Sequence, residues 1–197
     1  IPGLSITPLA GDYFDVLSSI NYDTSKRNVV LFLGSTIGNF TNAQAIEFLR
    51  RLRGHLHGDD YLLVGFDLRK DPDMILSAYH DKAGVTKRFN LNLLERINRE
   101  LDGNIDLNAF DHYPIYNPAT GECRSYLINT YDQHFTIGAL DKDFELEAWE
   151  PIFTEVSKKY SRREIDQLAE ESGFIKVQDF YDSNQYFIDS LWRVPGR

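Results

Sequence analysis

The sequence contains a single cysteine, Cys123, among 197 residues. No disulfide can therefore form within the chain, and a reducing compartment is the simpler interpretation. The sequence also lacks the run of roughly 20 apolar residues that a membrane-spanning helix needs, and no signal-peptide pattern is present at its start. These absences predict a cytoplasmic protein with no membrane partner.

Positive charge is scarce as well. The chain has 21 Lys and Arg against 30 Asp and Glu, which gives a formal net charge of -9. Non-specific nucleic-acid binding relies on clusters of cationic side chains that neutralise phosphates. The sequence has no such cluster, so we predict no nucleic-acid partner, whereas a hydrophobic content of 42% permits a packed core.

Several sequence signatures of catalysis are missing. The five histidines are scattered and form no H-E-x-x-H pattern, so no metal site is predicted, and no G-x-S-x-G elbow supports a hydrolase. In the stretch GSTIGN, Gly34 and Gly38 are four residues apart and no lysine follows. This spacing fits neither a phosphate-binding loop nor a dinucleotide fingerprint.

Two apolar runs indicate the main sheet. NVVLFLG at 28–34 and DYLLVGFDL at 60–68 are typical of strands that are buried on both faces. Between them, Thr41 and Gln44 form a capping box that starts a helix. A strand, a helix and a strand with short joints predict a βαβ unit, and therefore a parallel sheet.

The middle of the chain has a different pattern. Residues 71–101 predict two helices, and residues 110–138 predict antiparallel strands with a turn at 117–121. After a second capping box at Ser161 and Glu164, a helix and a strand hairpin follow. We therefore predict an α/β fold in which a partial sheet domain, residues 1–69 and 160–197, is interrupted by an α+β insertion, residues 70–159.

Position makes Gly34 and Asn39 candidate site residues. They follow a predicted parallel strand at its carboxyl end, where open α/β sheets bind ligands. An ordinary strand-to-helix turn is the alternative.

Three pairs of residues are further candidates, each with an ordinary structural alternative. In FTEVSKKY, alternation places Glu155 and Ser157 on one face together with Phe153. A carboxylate beside a hydroxyl suits an NH-bearing ligand, although an exposed strand face is the commoner outcome.

The other two pairs are aromatic or contain an aromatic residue. The rings of Tyr79 and Phe89 are more often core residues, and the hydroxyl of Tyr79 needs a partner if it is buried. Asp12 and Tyr13 suit an adenine ring, but a helix N-cap followed by a core aromatic is the commoner outcome.

A resemblance to one family is carried by five segments, in chain order: FLGSTIGNF, LLVGFDLRKD, AYHDKAGVTKRFNLNLL, RINRELDGNIDLNAFDHYPIYNP and FTEVSKKYS. They resemble the S-adenosylmethionine-dependent L-histidine Nα-methyltransferases of ergothioneine biosynthesis. The wider family also holds fungal N-methyltransferases of tryptophan derivatives. The resemblance covers nearly the whole chain and implies a Rossmann-like class I methyltransferase fold with an inserted substrate domain. It also implies that a neutral α-amine attacks the sulfonium methyl group of the cofactor.

The resemblance also implies roles for the candidate residues. Asn39 would contact the amino-acid substrate, Tyr79 would reach its carboxylate, Glu155 and Ser157 would read the imidazole ring, and Phe89 would line the pocket. Asp12 and Tyr13 would hold the adenine of S-adenosylmethionine, with Tyr in place of the family's Phe, and Gly34 would lie near cofactor and substrate. No residue is assigned as a catalytic acid or base.

Two departures from the family pattern leave alternatives open. The glycine-rich cofactor loop, the ribose-binding acid and a tyrosine of the substrate pocket are expected before the start of this sequence. Residues 1–197 alone are therefore expected to be inactive and to bind S-adenosylmethionine weakly or not at all. Ser125 stands where histidine-specific members can carry a bulkier apolar residue. The alternatives are methylation of tryptophan or another aromatic amine, a non-catalytic binding module, and nicotinamide binding if an upstream G-x-G-x-x-G exists.

Overall fold

The computed structural model describes residues 3–20 and 26–196. The helices are, in chain order, α1 (Tyr13–Ser19), α2 (Asn42–Gly54), α3 (Pro72–Tyr79), α4 (Val85–Glu100) and α5 (Arg162–Glu171). The strands are β1 (Val29–Phe32), β2 (Tyr61–Asp67), β3 (Phe110–Asn117), β4 (Glu122–Asn129), β5 (Gln133–Ile137), β6 (Lys142–Leu146), β7 (Pro151–Lys158), β8 (Ile175–Tyr181) and β9 (Phe187–Arg193). Short 3-10 turns occupy Thr36–Asn39, Leu107–Ala109 and Gly138–Leu140.

The chain divides into two compact units. The first, here called the sheet unit, comprises residues 1–66 and 161–197, and the second, the insertion unit, comprises residues 67–160. Residues 67–69 and 160 thus belong to the insertion unit, a few positions away from the boundaries predicted from the sequence.

The sheet unit contains one four-stranded sheet in the order β1-β2-β9-β8. Strands β1 and β2 are parallel, with Val29 opposite Tyr61 and Phe32 opposite Val64. Strands β8 and β9 form an antiparallel hairpin. The predicted parallel unit and the predicted hairpin are both confirmed, as is the α/β class.

The predicted burial of β1 on both faces is wrong. Val29 and Leu31 are 57% and 60% exposed, while Val30 and Phe32 are half-buried. In the described part of the chain, β1 is the edge strand of the sheet and pairs only with β2. An apolar run can therefore predict a strand while leaving open which of its faces is covered.

Aromatic packing and helix caps stabilise the sheet unit. The indole of Trp192 is fully buried, and its ring centroid lies 5.8 Å from Phe66 and 5.7 Å from Phe174. Both predicted capping boxes are confirmed: Thr41 with Gln44 begins α2, and Ser161 with Glu164 begins α5. Each box satisfies backbone N–H groups that the first turn of a helix leaves without partners.

The insertion unit contains a three-stranded antiparallel sheet, β3-β4-β7, and a two-stranded sheet, β5-β6. Helices α3 and α4 contact this larger sheet at β3 and β4. Its buried core is formed by apolar residues of α4, both sheets and the segment before β3: Leu94, Ile105, Ala109, Phe110, Leu127, Phe135 and Ile137.

A β-bulge in β7 corrects the predicted face of Phe153. The register pairs Ser125 with Glu155 but Tyr126 with Phe153, so Thr154 is the extra residue. Because Ser125 and Tyr126 point to opposite faces of β4, Glu155 and Phe153 also lie on opposite faces. Phe153 instead packs against Tyr126, with ring centroids 5.7 Å apart.

The turn between β3 and β4 is held by Arg69. Its guanidinium donates hydrogen bonds to the carbonyl oxygens of Thr120 at 3.0 Å and of Lys159 at 3.3 Å. Gly121 closes the turn with a φ of 78°, and a Cβ atom there would lie 2.3 Å from the Lys159 carbonyl oxygen and 2.8 Å from Arg69 Nε. Only glycine fits this position, because both the backbone conformation and the space exclude a side chain.

We expect Gly121→Ala to destabilise the protein more than Gly84→Ala. Gly84 has a similar φ of 66°, but its nearest neighbour would be Arg88 Nη1 at 3.6 Å. Gly84→Ala should cost only the left-handed backbone strain, about 1–2 kcal/mol, whereas Gly121→Ala should add an overpacking cost of about 1–3 kcal/mol. Urea unfolding measures both free energies, and equal losses would contradict the close contact at Gly121.

Candidate functional site

Glu155 and Ser157 lie on the face of β7 that continues the buried face of β4. Their register partners in β4 are Ser125 and Cys123, and both partners are 1% exposed. The hydroxyl of Ser125 donates to Glu155 Oε1 at 3.4 Å. Glu155 and Ser157 are themselves half-buried. The alternative prediction, a solvent-exposed strand face, is therefore wrong.

A hydrogen bond between α4 and β7 brings Phe89 towards Glu155. The hydroxyl of Thr154 donates to Asn90 Oδ1 at 2.6 Å, and Asn90 is buried. Phe89 and Glu155, the neighbours of these two residues, line one cavity of about 260 Å³. Phe89 is 67% exposed, so the commoner expectation of a core ring is wrong, because α4 turns this side chain towards the cavity.

Lys159, which the sequence analysis did not single out, lies beside two predicted site residues. Its side chain is almost completely buried, and its ammonium donates to the hydroxyl of Tyr79 at 2.7 Å and to Ser157 Oγ at 2.9 Å. A salt bridge of 2.9 Å joins it to Asp67 Oδ2. The structure therefore links Tyr79 and Ser157, two predicted substrate contacts, through one lysine.

A parallel bridge brings Asp67 and Lys159 together. Leu68 and Tyr160 are bridge partners, and the N–H of Tyr160 donates to the carbonyl oxygen of Asp67 at 2.9 Å. Asp67 also binds Lys70 at 2.6 Å. Burial by itself lowers the pKa of the Lys159 ammonium, but Tyr79 and Asp67 outweigh burial and raise this pKa above its ordinary value. The lysine therefore stays charged at neutral pH.

The alternation of side chains along β7 predicts the position of Lys159. Positions 155, 157 and 159 share a face of an extended segment, and Lys159 follows directly after the last residue of β7. Extending the face of Glu155 and Ser157 by one step places a lysine beside them. The partner Asp67 has no such local signal, because it lies far away in the sequence.

His112 is buried on β3, and its Nε2 atom has no hydrogen-bond partner within residues 3–20 and 26–196. Burial, with the neighbouring charges of His80 and Lys87, lowers the pKa of the His112 imidazole, while Glu155 and Asp81 oppose this shift. A neutral imidazole is therefore favoured at this position.

In the sheet unit, Gly34 and Asn39 flank the turn that follows β1. Gly34 has a φ of 78°, and a Cβ atom added there would meet no atom within 4 Å. The backbone is thus open to close approach at this residue. Asn39 ends the 3-10 turn and is exposed, and its side-chain amide makes no hydrogen bond within the part of the chain that the structure describes.

Asp12 and Tyr13 lie at the start of α1 in the same unit. Asp12 is the N-cap, and its Oδ1 accepts the N–H of Phe14 at 2.9 Å. Tyr13 is 61% exposed, and its ring stands nearly perpendicular to those of Phe32 and Phe48. The N-cap expectation is confirmed, whereas the expectation of a core aromatic is wrong, because Tyr13 is mostly exposed.

Within the described ranges, no group of three or more His, Cys, Asp and Glu side chains is arranged to hold a metal ion. In the same ranges, no helix combines the length and the apolar character that crossing a bilayer requires.

Comparisons with known proteins point to one family. A family profile described as "Histidine-specific methyltransferase, SAM-dependent" matches residues 1–194. Histidine N-alpha-methyltransferase of Mycolicibacterium smegmatis is 40% identical over 172 residues, which are 87% of this chain and 53% of that protein. The protein of the same name in Mycobacterium tuberculosis is 36% identical, over 91% of this chain and 56% of that protein.

A further relative acts on another amino acid. L-tryptophan methyltransferase trpM of Psilocybe serbica is 30% identical, over 82% of this chain and 46% of that protein. The chain spans about half the length of the curated relatives that it matches.

We expect Cys123 to react slowly with thiol reagents in the folded protein. Burial, the largest cause, raises the pKa of its thiol to about 11, and Glu155 and Asp67 add to the rise against the charge of Lys159. Only the thiolate reacts, so Ellman's reagent at pH 8 should label the native protein at least roughly 100-fold more slowly than the protein in urea. Because the chain has a single cysteine, the signal has one source. Similar rates in both states would contradict the buried position.

Proposed function

This chain belongs to the family of SAM-dependent, histidine-specific methyltransferases, and from this premise we propose the reaction of the protein that contains it. The protein transfers a methyl group from S-adenosylmethionine to the α-amino group of L-histidine. Relatives named for this activity are 36% and 40% identical over most of the chain. The class I methyltransferase fold of the family agrees with the partial α/β sheet and its α+β insertion.

The residues of the sheet unit fit the cofactor. The exposed Tyr13 offers an aromatic ring on which adenine could stack, and the second carboxylate oxygen of Asp12 remains able to accept a hydrogen bond from the adenine amino group. Gly34 leaves space beside the backbone where a side chain would otherwise stand. When bound, S-adenosylmethionine supplies an activated methyl group, so the protein has mainly to bind and orient the reactants.

The residues of the insertion unit fit the substrate. One observation carries the proposal: Glu155 and Ser157 lie together on a half-buried strand face, and Glu155 lines a cavity that Phe89 also lines. A carboxylate accepts an N–H and a hydroxyl can donate to a ring nitrogen, which are the two polar groups of an imidazole. Tyr79 would bind the carboxylate of the amino acid. The contact of Asn39 with the substrate stays a prediction.

Tryptophan is a second candidate substrate. The relative named for L-tryptophan methylation supports it, as does the small buried side chain of Ser125 beside Glu155. A serine there leaves more space for a large ring than the bulkier residue that histidine-specific members can carry. Turnover of L-histidine and L-tryptophan, measured side by side on the full-length protein, decides between the two, and turnover of neither would contradict the proposed function.

We expect Glu155→Ala to raise KM for L-histidine by roughly tenfold to hundredfold, because a ring N–H loses its charged acceptor. KM for an apolar amino acid such as L-leucine should change little, since it has no N–H in its side chain. Steady-state kinetics of the full-length protein measures both constants. Glu145→Ala is a matched control, because Glu145 is exposed on β6. An equal rise in KM for the two substrates would show that Glu155 does not read the ring.

A further inference from the structure

The buried ammonium of Lys159 has three hydrogens and three oxygen partners. They are Asp67 Oδ2 at 2.9 Å, the Tyr79 hydroxyl at 2.7 Å and Ser157 Oγ at 2.9 Å. An ammonium group is a donor only. Both hydroxyl oxygens therefore act as acceptors towards Lys159, and neither can give its own proton to it.

The protons of the two hydroxyl groups remain available. Within residues 3–20 and 26–196, neither the Tyr79 hydroxyl nor Ser157 Oγ has an acceptor for its proton. A partly buried O–H without an acceptor is unfavourable. An acceptor on a bound ligand would satisfy each of them, and the lysine charge strengthens both hydroxyls as donors.

We propose that Lys159 is a positioning residue that makes Ser157 and Tyr79 hydrogen-bond donors towards the bound amino acid. This inference rests on the proposed function and deepens it. Ser157 donates to the unprotonated nitrogen of a neutral imidazole, while Glu155, an acceptor, takes the N–H of the same ring. Tyr79 donates to the substrate carboxylate. One cation thus sets the hydrogen-bond direction at both ends of the substrate.

An acceptor at Glu155 and a donor at Ser157 would favour substrate rings that carry both an N–H and an unprotonated nitrogen. A ring with one N–H and one lone pair satisfies both Glu155 and Ser157. A ring with only N–H, such as pyrrole, leaves the Ser157 proton without an acceptor, and a ring with no polar atoms satisfies neither residue. Selection by hydrogen-bond direction is stronger than selection by size, because the wrong ligand leaves buried polar groups unpaired.

A mutant cycle on the full-length protein tests the role of Lys159. Lys159→Met removes the donor but leaves Asp67 paired with Lys70 at 2.6 Å. We expect Lys159→Met to raise KM for L-histidine about tenfold in the wild-type background. In the Tyr79→Phe/Ser157→Ala background the rise should be less than about threefold, because the effects of substitutions at coupled residues are not additive. Lys158→Met, one position earlier on the opposite face of β7, is the matched control and should change KM less than about twofold.

Additive effects in this cycle would overturn the proposal, because a merely structural role lowers activity regardless of the two hydroxyls. The double variant Lys159→Met/Asp67→Asn removes both charges of this ion pair together, and the same cycle is run on it. Thermal unfolding of each variant separates a loss of folding from a loss of binding.

A ligand series tests the donor role without changing Lys159. Calorimetry should show that the wild-type protein binds L-histidine roughly tenfold more tightly than 2-pyrrolylalanine or 3-pyrrolylalanine, which have an N–H but no acceptor nitrogen. In Ser157→Ala, the affinity for L-histidine should fall close to the affinity for the tighter-binding of the two analogues. An unchanged ratio would show that Ser157 does not donate, and would overturn the proposal even if no Lys159 variant folds.

The two proposals fail separately. If the wild-type protein methylates another amino acid and not L-histidine, the proposed substrate is wrong. The cycle with Tyr79→Phe is then run with that amino acid, because every α-amino acid has the carboxylate that Tyr79 would bind. Coupling between Lys159 and Tyr79 would support the positioning role, and its absence would contradict it.

Discussion

The insertion unit depends on a positive charge that is almost completely removed from water. Lys159 is 2% exposed, and moving an ion into such a place costs several kcal/mol. A carboxylate and two hydroxyls compensate for this cost, and each is held by a different element: Asp67 by the bridge to Tyr160, Tyr79 by the end of α3, and Ser157 by β7. The lysine therefore joins three elements of the unit, and its N–H groups make both neighbouring hydroxyl oxygens hydrogen-bond acceptors.

The β-bulge at Thr154 determines which side chains of β7 share a face with Lys159. Without the bulge at Thr154, the aromatic ring of Phe153 would share the face of Glu155 and Ser157. The bulge sends this ring to the other face and lets the Thr154 hydroxyl bind Asn90. The face near Lys159 thus keeps a carboxylate and hydroxyls, and Phe89 lines the cavity that Glu155 also lines.

Local features of the fold were predictable from the sequence, whereas burial was not. The capping boxes at Thr41 and Ser161, the parallel pair β1-β2 and the hairpin β8-β9 follow from residue types at short spacing. The predicted burial of Val29 and Leu31 and the expected core positions of Phe89 and Tyr13 were wrong, because burial depends on what packs against an element. Resemblance to a family supplied the candidate residues, and their roles stay predictions.

The sequence by itself determined where strands and helices form, which residue types stand at their ends, and that Glu155, Ser157 and Lys159 alternate onto one face. Tertiary structure alone decided their partners. Tyr79 and Lys159 are 80 residues apart in the chain, and Asp67 meets the same lysine only because residues 67–69 run beside Tyr160. Contacts over such separations arise from how the chain returns on itself, and local periodicity contains no information about them.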